Sequence, residues 1–218
     1  MTNSFDLLPE ENPAFYNLSF KKGLGVDKHL EKFRQFIKDK GLELLSPLQY
    51  DDPTIKSFVT PAVFLVREGK SYFKVRVCDS DQESARIIKN INYARSRDIP
   101  VSKVVCASGP LVFLEYTPGE TIKNLSSRDR IKIADIHNQL NHTIPLKLDL
   151  RSKLIRLIGD SIYVLKDFDI GRYKELCQEL PNVLPVFDHQ DFGLNNLIRT
   201  PEGFSLVDEE ALGILPWG

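Results

Sequence analysis

Two short apolar runs separated by a turn signal fill residues 61–77, and this pattern narrows the possible folds more than any other in the chain. Both runs are rich in β-branched and aromatic residues, and a central Glu-Gly-Lys sequence around Gly69 separates them. This arrangement predicts a β-hairpin. Alternate residues of a strand face the same side, so Lys74 and Arg76 are expected together on one side of the hairpin.

Helical periodicity flanks the hairpin on both sides. Apolar residues recur at helical spacing between residues 26 and 41, and again over residues 81–100, where Ala85, Ile88, Ile91 and Ala94 share one predicted face. Two further strands are predicted within residues 101–116, with a turn at residues 108–110. We therefore expect a loosely held arm over residues 1–24 and a β-rich N-terminal lobe over residues 25–115.

The remaining residues, 116–218, predict a second lobe that is mainly helical. A Pro-Gly break at residues 116–120 suits a connector, and residues 126–143 have helical periodicity with Ser126 or Ser127 available as the N-cap. Residues 149–180 are expected to be helical as well. Two apolar runs then flank a turn at residues 200–203, which predicts a second hairpin. The fold class is therefore α+β with two lobes.

Charge and cysteine usage limit the class of partner and the compartment. The net charge is −1, from 29 basic and 30 acidic residues, so no overall field favours nucleic acid or an anionic membrane. The three cysteines form no CxxC pair, which argues against a disulfide framework or a zinc site. The N-terminus lacks the basic and apolar regions of a signal peptide, and no apolar run could span a membrane. A reducing cytoplasm fits these features best.

The residues that best predict chemistry lie at the two ends of the second hairpin. His189, Asp191 and Asn196 precede it in the segment HQDFGLNN, and Asp208 follows it in VDEE. Phosphoryl transfer needs a carboxylate to orient an attacking hydroxyl and accept its proton, together with oxygen ligands for Mg²⁺. Asp191, Asn196 and Asp208 supply that set, although Asn195 offers an alternative one residue away.

The spacing HxDxxxxN, followed by a hairpin and a second Asp, resembles the signature of the aminoglycoside phosphotransferase and choline kinase family. The VDEEA sequence around Glu210 is similar to the I-D-x-E-x-A ending of that family. The resemblance implies a protein-kinase-like fold, Asp191 as the catalytic base, and Asn196 and Asp208 as Mg²⁺ ligands. His189 would pack the loop, and ATP or GTP would be the phosphate donor.

Weaker agreement extends upstream. VFLEYTPGE resembles the lobe connector of the family, in which the backbone of Glu115 and Tyr116 would meet the nucleotide base. Lys74 best matches the basic residue that holds the α- and β-phosphates in the family, and Glu83 matches the acidic residue that pairs with that basic residue. The alternatives are that Lys74 and Arg76 form the solvated face of an edge strand, and that the acids at positions 79 and 81, near neighbours of Glu83, cap the helix start.

The resemblance leaves several questions of function open. The sequence stops ten residues after Asp208, where relatives continue into helices that build the acceptor pocket, so a fragment, a minimal pocket and a loss of catalysis all stay open. The alternatives to a small-molecule kinase are an inactive binding or regulatory module and a sugar or lipopolysaccharide kinase. A protein kinase is disfavoured because Gln190 replaces the arginine of HRD and no APE-like anchor follows. The acceptor and the oligomeric state stay undetermined.

Overall fold

A computed structural model describes residues 8–10, 27–48, 62–145, 171, 175 and 184–217. The described residues of the first half contain two helices and five strands. The strands form one antiparallel sheet in the order β1-β2-β3-β5-β4. In chain order these elements are α1 (Asp27–Asp39), β1 (Glu43–Pro47), β2 (Val63–Glu68), β3 (Ser71–Val77), α2 (Asp81–Ser96), β4 (Val104–Ser108) and β5 (Leu111–Glu115).

The two hairpins predicted in this half are confirmed. Strands β2 and β3 pair in antiparallel register from Val63 opposite Arg76 to Glu68 opposite Ser71. The turn between them contains Gly69 at φ 58°, a left-handed conformation that glycine adopts without a steric penalty. Strands β4 and β5 likewise pair around the turn that the sequence predicted at residues 108–110.

Helix α1 packs on the sheet through its predicted apolar face. Phe33 and Ile37 are buried, at 1% and 7% exposure. The ring of Phe33 stacks on that of Phe64, with centroids 4.7 Å apart. Burial of this face, rather than helix propensity alone, is what stabilises a helix of this length.

Helix α2 lies where it was predicted, but its buried face is rotated from the predicted one. Ile91 and Ala94 are buried as expected, whereas Ala85 is exposed and Ile87 is buried in its place. The helix also buries Arg86, because its guanidinium finds backbone acceptors, and periodicity of apolar residues alone cannot indicate such a contact.

The second half of the described chain is rich in strands. Its elements are β6 (Glu120–Thr121), α3 (Ser127–Leu140), β7 (His142–Thr143), β8 (Leu184–His189), β9 (Leu197–Thr200), β10 (Gly203–Leu206) and β11 (Leu212–Trp217). The strands form two three-stranded sheets, in the orders β10-β9-β6 and β11-β8-β7. The β9–β10 hairpin and helix α3, with Ser126 as its N-cap, are confirmed.

The expectation of a mainly helical second lobe is not confirmed, because strands predominate over α3 in the described residues. The predicted helix over residues 149–180 lies outside the described residues except at positions 171 and 175, which are both helical. The pairing of β8 with β11 was not predicted. Its two strands are far apart in sequence, so no local turn signal marks them.

The larger hydrophobic core joins the two halves of the chain. It contains residues on both sides of position 116, among them Ile91 and Leu114 before it and Phe187 and Leu206 after it. An isolated parallel bridge between Val101 and Leu206 also connects the halves. The division into lobes at residue 116 stays a prediction.

Part of the predicted N-terminal arm is held against the globular region, contrary to the expectation of a loose segment. The backbone N–H of Glu10 donates to Asn90 Oδ1 at 2.7 Å, and the N–H of Ile214 donates to the carbonyl of Glu10 at 3.0 Å. Pro9 is buried. These contacts fasten residues 8–10 to α2 and β11, while the rest of the predicted arm up to residue 24 lies outside the described residues.

The helices and the thiols of the described residues are further features of the fold. None of the helices in the described ranges has both the length and the apolar character needed to cross a bilayer. Cys78 and Cys106 are free thiols, and burial raises the pKa of the Cys78 thiol to about 12. Cys177 lies outside the described residues. The cytoplasmic location stays a prediction.

Candidate active site

The segment after β8 folds back sharply, and this turn exposes the predicted catalytic side chain while burying a predicted metal ligand. The N–H of Phe192 donates to the carbonyl of His189 at 3.2 Å, and a 3₁₀ turn follows at Leu194–Asn196. Asp191 is exposed, whereas Asn196 is 4% exposed. An accessible carboxylate therefore lies beside a buried amide.

Asn196 is connected directly to Asp191 and to the end of the hairpin. Its side-chain nitrogen donates to the carbonyl of Asp191 at 2.7 Å and to Asp191 Oδ2 at 3.0 Å. Its backbone carbonyl accepts from the N–H of Val207 at 2.8 Å. These bonds place the loop before the hairpin next to the segment after it. The neighbouring Asn195, the alternative left open by the sequence, is exposed.

Asp208 has an unusual backbone conformation that His189 supports. Its φ and ψ are 66° and 46°, in the left-handed region, where non-glycine residues are uncommon and Asp is enriched among them. His189 Nε2 lies 3.1 Å from the carbonyl oxygen of Asp208 and 3.2 Å from that of Val207. Because carbonyl oxygens only accept, Nε2 is the donor. This arrangement agrees with the loop-packing role expected for His189.

Two ion pairs join strand β3 to the residues that follow Asp208. Lys74 pairs with Glu209, and Arg76 pairs with Glu210. The pairing follows from geometry, since residues two apart on a strand face one side and Glu209–Ala211 forms a 3₁₀ turn opposite them. The alternative that Lys74 and Arg76 are a solvated strand face is therefore wrong.

The expected pairing of Lys74 with Glu83 is not the one that the structure contains. Glu83 caps the start of α2: its carboxylate accepts from the N–H of Asp79 at 2.6 Å, and its own N–H donates to Ser80 Oγ at 3.1 Å. An acidic residue in the first turn of any helix can cap that helix. In this chain the Glu83 carboxylate, which the resemblance would pair with Lys74, is used for such capping.

Glu209 is the most deeply buried acid of the site, at 2% exposure. Burial by itself would raise the pKa of this carboxyl group, but the charge and hydrogen bond of Lys74, followed by hydrogen bonds from Ser102 and the backbone, outweigh it, and the net direction of the pKa is downward. Glu209 is therefore a carboxylate held in place by its counter-ion.

Arg86 supports the same segment from α2. Its guanidinium donates to the carbonyl of Leu212 at 3.3 Å and to that of Glu210 at 3.4 Å. The side chain is 7% exposed, and burial lowers its pKa. The turn after Asp208 is thus held both by Arg86 and by the two ion pairs.

The predicted catalytic and metal-binding residues border one cavity of about 980 Å³. Asp191, Asn196 and Asp208 line it together with Lys74 and Glu209. Apolar side chains contribute as well, namely Leu48, Val63, Ile87, Leu114, Ile122, Leu194, Ile198 and Val207. A cavity of this size, lined by apolar side chains and a few polar groups, matches a small-molecule site in size and chemistry.

The residues predicted to contact the nucleotide base differ in position. Tyr116 lines the cavity, whereas Glu115 is not among its lining residues. Their backbone N–H groups are already bonded, that of Glu115 to the carbonyl of Lys103 at 2.8 Å and that of Tyr116 to the carbonyl of Tyr72 at 3.3 Å. Both contacts with the base stay predictions, and a base at this edge would rely on carbonyl groups or on nearby Thr117.

The side chains of Asn196 and Asp208 fit a magnesium ion that is shared with phosphate. No group of three His, Cys, Asp or Glu residues in the described ranges could hold a metal by itself. Magnesium in phosphoryl-transfer sites usually has one or two protein carboxylates and completes its shell with water and phosphate oxygens. One carboxylate, one amide oxygen and an adjoining cavity therefore suit Mg²⁺ only together with a phosphorylated ligand.

Comparison with known proteins identifies the fold. No protein-family model and no curated protein matches the sequence. Among solved structures, aminoglycoside phosphotransferase APH(3'')-Id from Streptomyces rimosus is 17% identical with a TM-score of 0.50, covering 86% of this chain and 77% of that one. Choline kinase LicA from Streptococcus pneumoniae is 15% identical with a TM-score of 0.51, covering 85% and 70%.

A third structure, APH(2'')-IIa in its ternary complex with streptomycin and ATP, is 16% identical with a TM-score of 0.55 and covers 84% of this chain and 71% of that one. The shared feature is the protein-kinase-like fold of small-molecule phosphotransferases. The fold that the resemblance implied is thereby confirmed. At this level of identity the likeness concerns the fold and does not extend to activity.

Sequence reasoning missed the residue that pairs with Lys74. Glu210 was singled out because it matches a family motif, but the adjacent Glu209 is the buried partner of Lys74. A signal was present, since Lys74 and Arg76 lie two apart on one strand and the chain offers two consecutive acids after Asp208. Only the packing of the two segments assigns the partners.

Proposed function

We propose that this chain is a phosphotransferase that moves the γ-phosphate of ATP or GTP to a hydroxyl group of a small molecule. The observation that carries the proposal is the convergence of Asp191, Asn196, Asp208 and Lys74 on one cavity. Apart from Lys74, these residues come from the two ends of the β9–β10 hairpin, and hydrogen bonds join those ends. No purely structural role requires them to border the same space.

Each side chain has a role that its chemistry suits. Asp191 is exposed at the cavity, where it orients the acceptor hydroxyl and takes its proton as transfer proceeds. Asn196 and Asp208 would hold Mg²⁺, which when bound neutralises charge on the phosphates. Lys74 directs its ammonium group at the α- and β-phosphates. Catalysis of this kind depends on positioning and charge stabilisation.

The comparisons support the nucleotide and the acceptor class. APH(2'')-IIa was solved with ATP and streptomycin, and APH(3'')-Id with ADP and streptomycin. Those ligands belong to the neighbouring proteins, and choline kinase LicA has the same fold. A nucleotide and a hydroxyl-bearing small molecule are therefore the ligand classes proposed for this chain, with the identity of the acceptor left to experiment.

A second candidate is a nucleotide-binding module without transfer activity. It is favoured by the state of the two basic residues of β3, since Lys74 and Arg76 are both paired with carboxylates in the structure. A basic group whose charge is already balanced would still donate hydrogen bonds to a bound nucleotide, but it would stabilise less of the charge that develops during transfer. The two candidates differ in whether Asp191 matters for turnover.

The test is a turnover screen of ATP and GTP with Mg²⁺ against a panel of hydroxyl-bearing metabolites. We expect phosphate transfer to at least one acceptor, and we expect Asp191→Asn to abolish it while thermal stabilisation by the nucleotide and Mg²⁺ persists. Glu202→Gln is the matched control, because Glu202 is an exposed acid of the same hairpin that does not line the cavity. Binding without any turnover would favour the second candidate, and transfer by Asp191→Asn would exclude Asp191 as the base.

A further inference from the structure

Glu209 is a buried carboxylate, and its ion-pair partner is Lys74, the residue proposed to bind the phosphates. It borders the same cavity as Asp191 and Asp208, and its Oε2 accepts from Lys74 Nζ. Its second oxygen, Oε1, is buried and has no hydrogen-bond partner among the described residues. A carboxylate in this position is unfavourable unless its counter-ion is held close, so the pair constrains Lys74 as strongly as it constrains Glu209.

The acid of α2 cannot constrain Lys74 in the same way. The Glu83 carboxylate is used at the helix start, where it accepts from Asp79 N–H at 2.6 Å. It is also more exposed than Glu209. A pair with this half-buried acid would hold Lys74 less firmly than the pair with fully buried Glu209, because solvent screens it more.

We infer that Glu209, rather than Glu83, is the positioning residue that aims Lys74 at the phosphates of the nucleotide. The inference rests on the proposed function and assigns to this chain a counter-ion that differs from the helix acid implied by the family resemblance. The Lys74 ammonium group has three donors, and one bond to Glu209 leaves two for phosphate oxygens. Fixing the side chain beforehand reduces the entropy lost when the nucleotide binds.

The position of Glu209 in the chain ties Lys74 to the proposed metal ligand. Glu209 directly follows Asp208, whose backbone is held by His189. The second pair, Arg76 with Glu210, fixes the same turn to the same strand. Lys74 and Asp208 therefore keep a constant separation, which a phosphate bound between them requires.

Replacing Glu209 by Gln has two opposing effects on nucleotide binding. Lys74 loses the carboxylate that holds its side chain, which lowers the affinity for phosphate. The cavity also loses a negative charge, which raises the affinity for an anion. If Glu209 positions Lys74, the loss of affinity in Glu209→Gln requires Lys74 to be present. The gain from removing a negative charge does not require Lys74. Measuring Glu209→Gln in a variant that lacks the Lys74 ammonium group therefore separates the two effects.

The experiment measures the affinity of ATP with Mg²⁺ by titration calorimetry for wild type, Glu209→Gln, Lys74→Met and the double variant. We expect Glu209→Gln to weaken binding about tenfold when Lys74 is present and not to weaken it in the Lys74→Met background. Glu83→Gln goes through the same cycle as the competing assignment, and we expect its effect to be equal in both backgrounds. Glu202→Gln serves as the inert control.

Thermal unfolding checks that each variant is folded, and Glu209→Asp, which keeps the charge, replaces Glu209→Gln in the cycle if the latter does not fold. Equal effects of Glu209→Gln in both backgrounds, or a Lys74-dependent effect of Glu83→Gln instead, would overturn the inference. Binding by wild type is the separate measure of the proposed function: if wild type binds neither ATP nor GTP, the proposed function fails and the inference fails with it.

Discussion

His189 Nε2 donates a hydrogen bond to the carbonyl of Asp208 at 3.1 Å, so a residue two positions before the proposed base Asp191 supports the backbone of the proposed metal ligand. The two residues are separated by the whole β9–β10 hairpin. The histidine of the HxD sequence therefore connects two parts of the site that the sequence presents as separate motifs, and the backbone at Asp208 depends on this support.

The left-handed backbone of Asp208, at φ 66°, predicts a difference between two substitutions. Asp208→Ala keeps a Cβ in an unfavourable conformation, while Asp208→Gly removes it. We expect the glycine variant to be about 1 kcal/mol more stable than the alanine variant in urea unfolding. Both should lose the Mg²⁺-dependent part of nucleotide binding, and equal stabilities would argue that the conformation at this position carries no strain.

The two adjacent asparagines predict opposite outcomes. Asn196→Ala removes the donor to Asp191 Oδ2 and one proposed metal ligand, so we expect the rate of phosphate transfer to fall about 100-fold. Asn195→Ala is the matched control, because Asn195 is exposed and one residue away. The measurement is steady-state transfer to the acceptor found by the screen. A larger loss in the Asn195 variant would move the site assignment by one residue.

Gly119 lies against the backbone of β9, which predicts intolerance of any side chain. A Cβ at this position would be 2.7 Å from the carbonyl oxygen of Arg199, and a backbone atom cannot move aside easily. We expect Gly119→Ala to lower the free energy of unfolding by about 2 kcal/mol. Gly193→Ala, where no atom lies within 4 Å of the added carbon, should change it by less than about 0.5 kcal/mol. Similar values for both variants would contradict this packing.

His142 predicts a loss of stability at mildly acidic pH. Burial, followed by the charge of Arg97, lowers the pKa of His142 below its ordinary value of 6.5. Its Nδ1 lies 2.9 Å from the carbonyl of Leu140 and is therefore the donor, so the neutral ring offers Nε2 as an acceptor to the Tyr93 hydroxyl at 2.7 Å. Protonation removes that acceptor.

The direction of the pH effect on stability follows from the lowered pKa of His142. Because the folded state holds the His142 proton less tightly than the unfolded state, the free energy of unfolding should fall as the pH drops below 6.5, the ordinary value, toward the lower pKa of the folded state. Urea unfolding between about pH 7.5 and pH 5 measures the free energy of unfolding of wild type and of His142→Gln. This free energy should decline less steeply with falling pH in the variant. Identical slopes would exclude His142 as a source of the pH dependence.

Local patterns predicted most of the elements that border the site. The β2–β3 and β9–β10 hairpins formed where turn residues separate apolar runs, and Ser126 caps α3 as expected. The HxDxxxxN spacing also selected Asp191 and Asn196, which a hydrogen bond joins in the structure. These features depend on contacts between residues close in sequence, which is why the sequence alone indicates them.

Contacts between residues far apart in the sequence could not be predicted from local patterns. Neither the pairing of β8 with β11 nor the anchoring of Glu10 on Asn90 has a local signal. The buried face of α2 was misplaced because Arg86 is buried by hydrogen bonds and not by apolar character. In each case the partner is supplied by a distant part of the chain.

The sequence by itself determined the hairpins, the helices that flank them and the order of the acidic and amide residues of the site. Only the tertiary structure decided that Lys74 pairs with Glu209 and that Glu83 caps its own helix. The physical reason is that helix and strand periodicity depends on neighbouring residues, whereas the partner of a charge depends on which buried groups the packed chain brings within hydrogen-bonding distance.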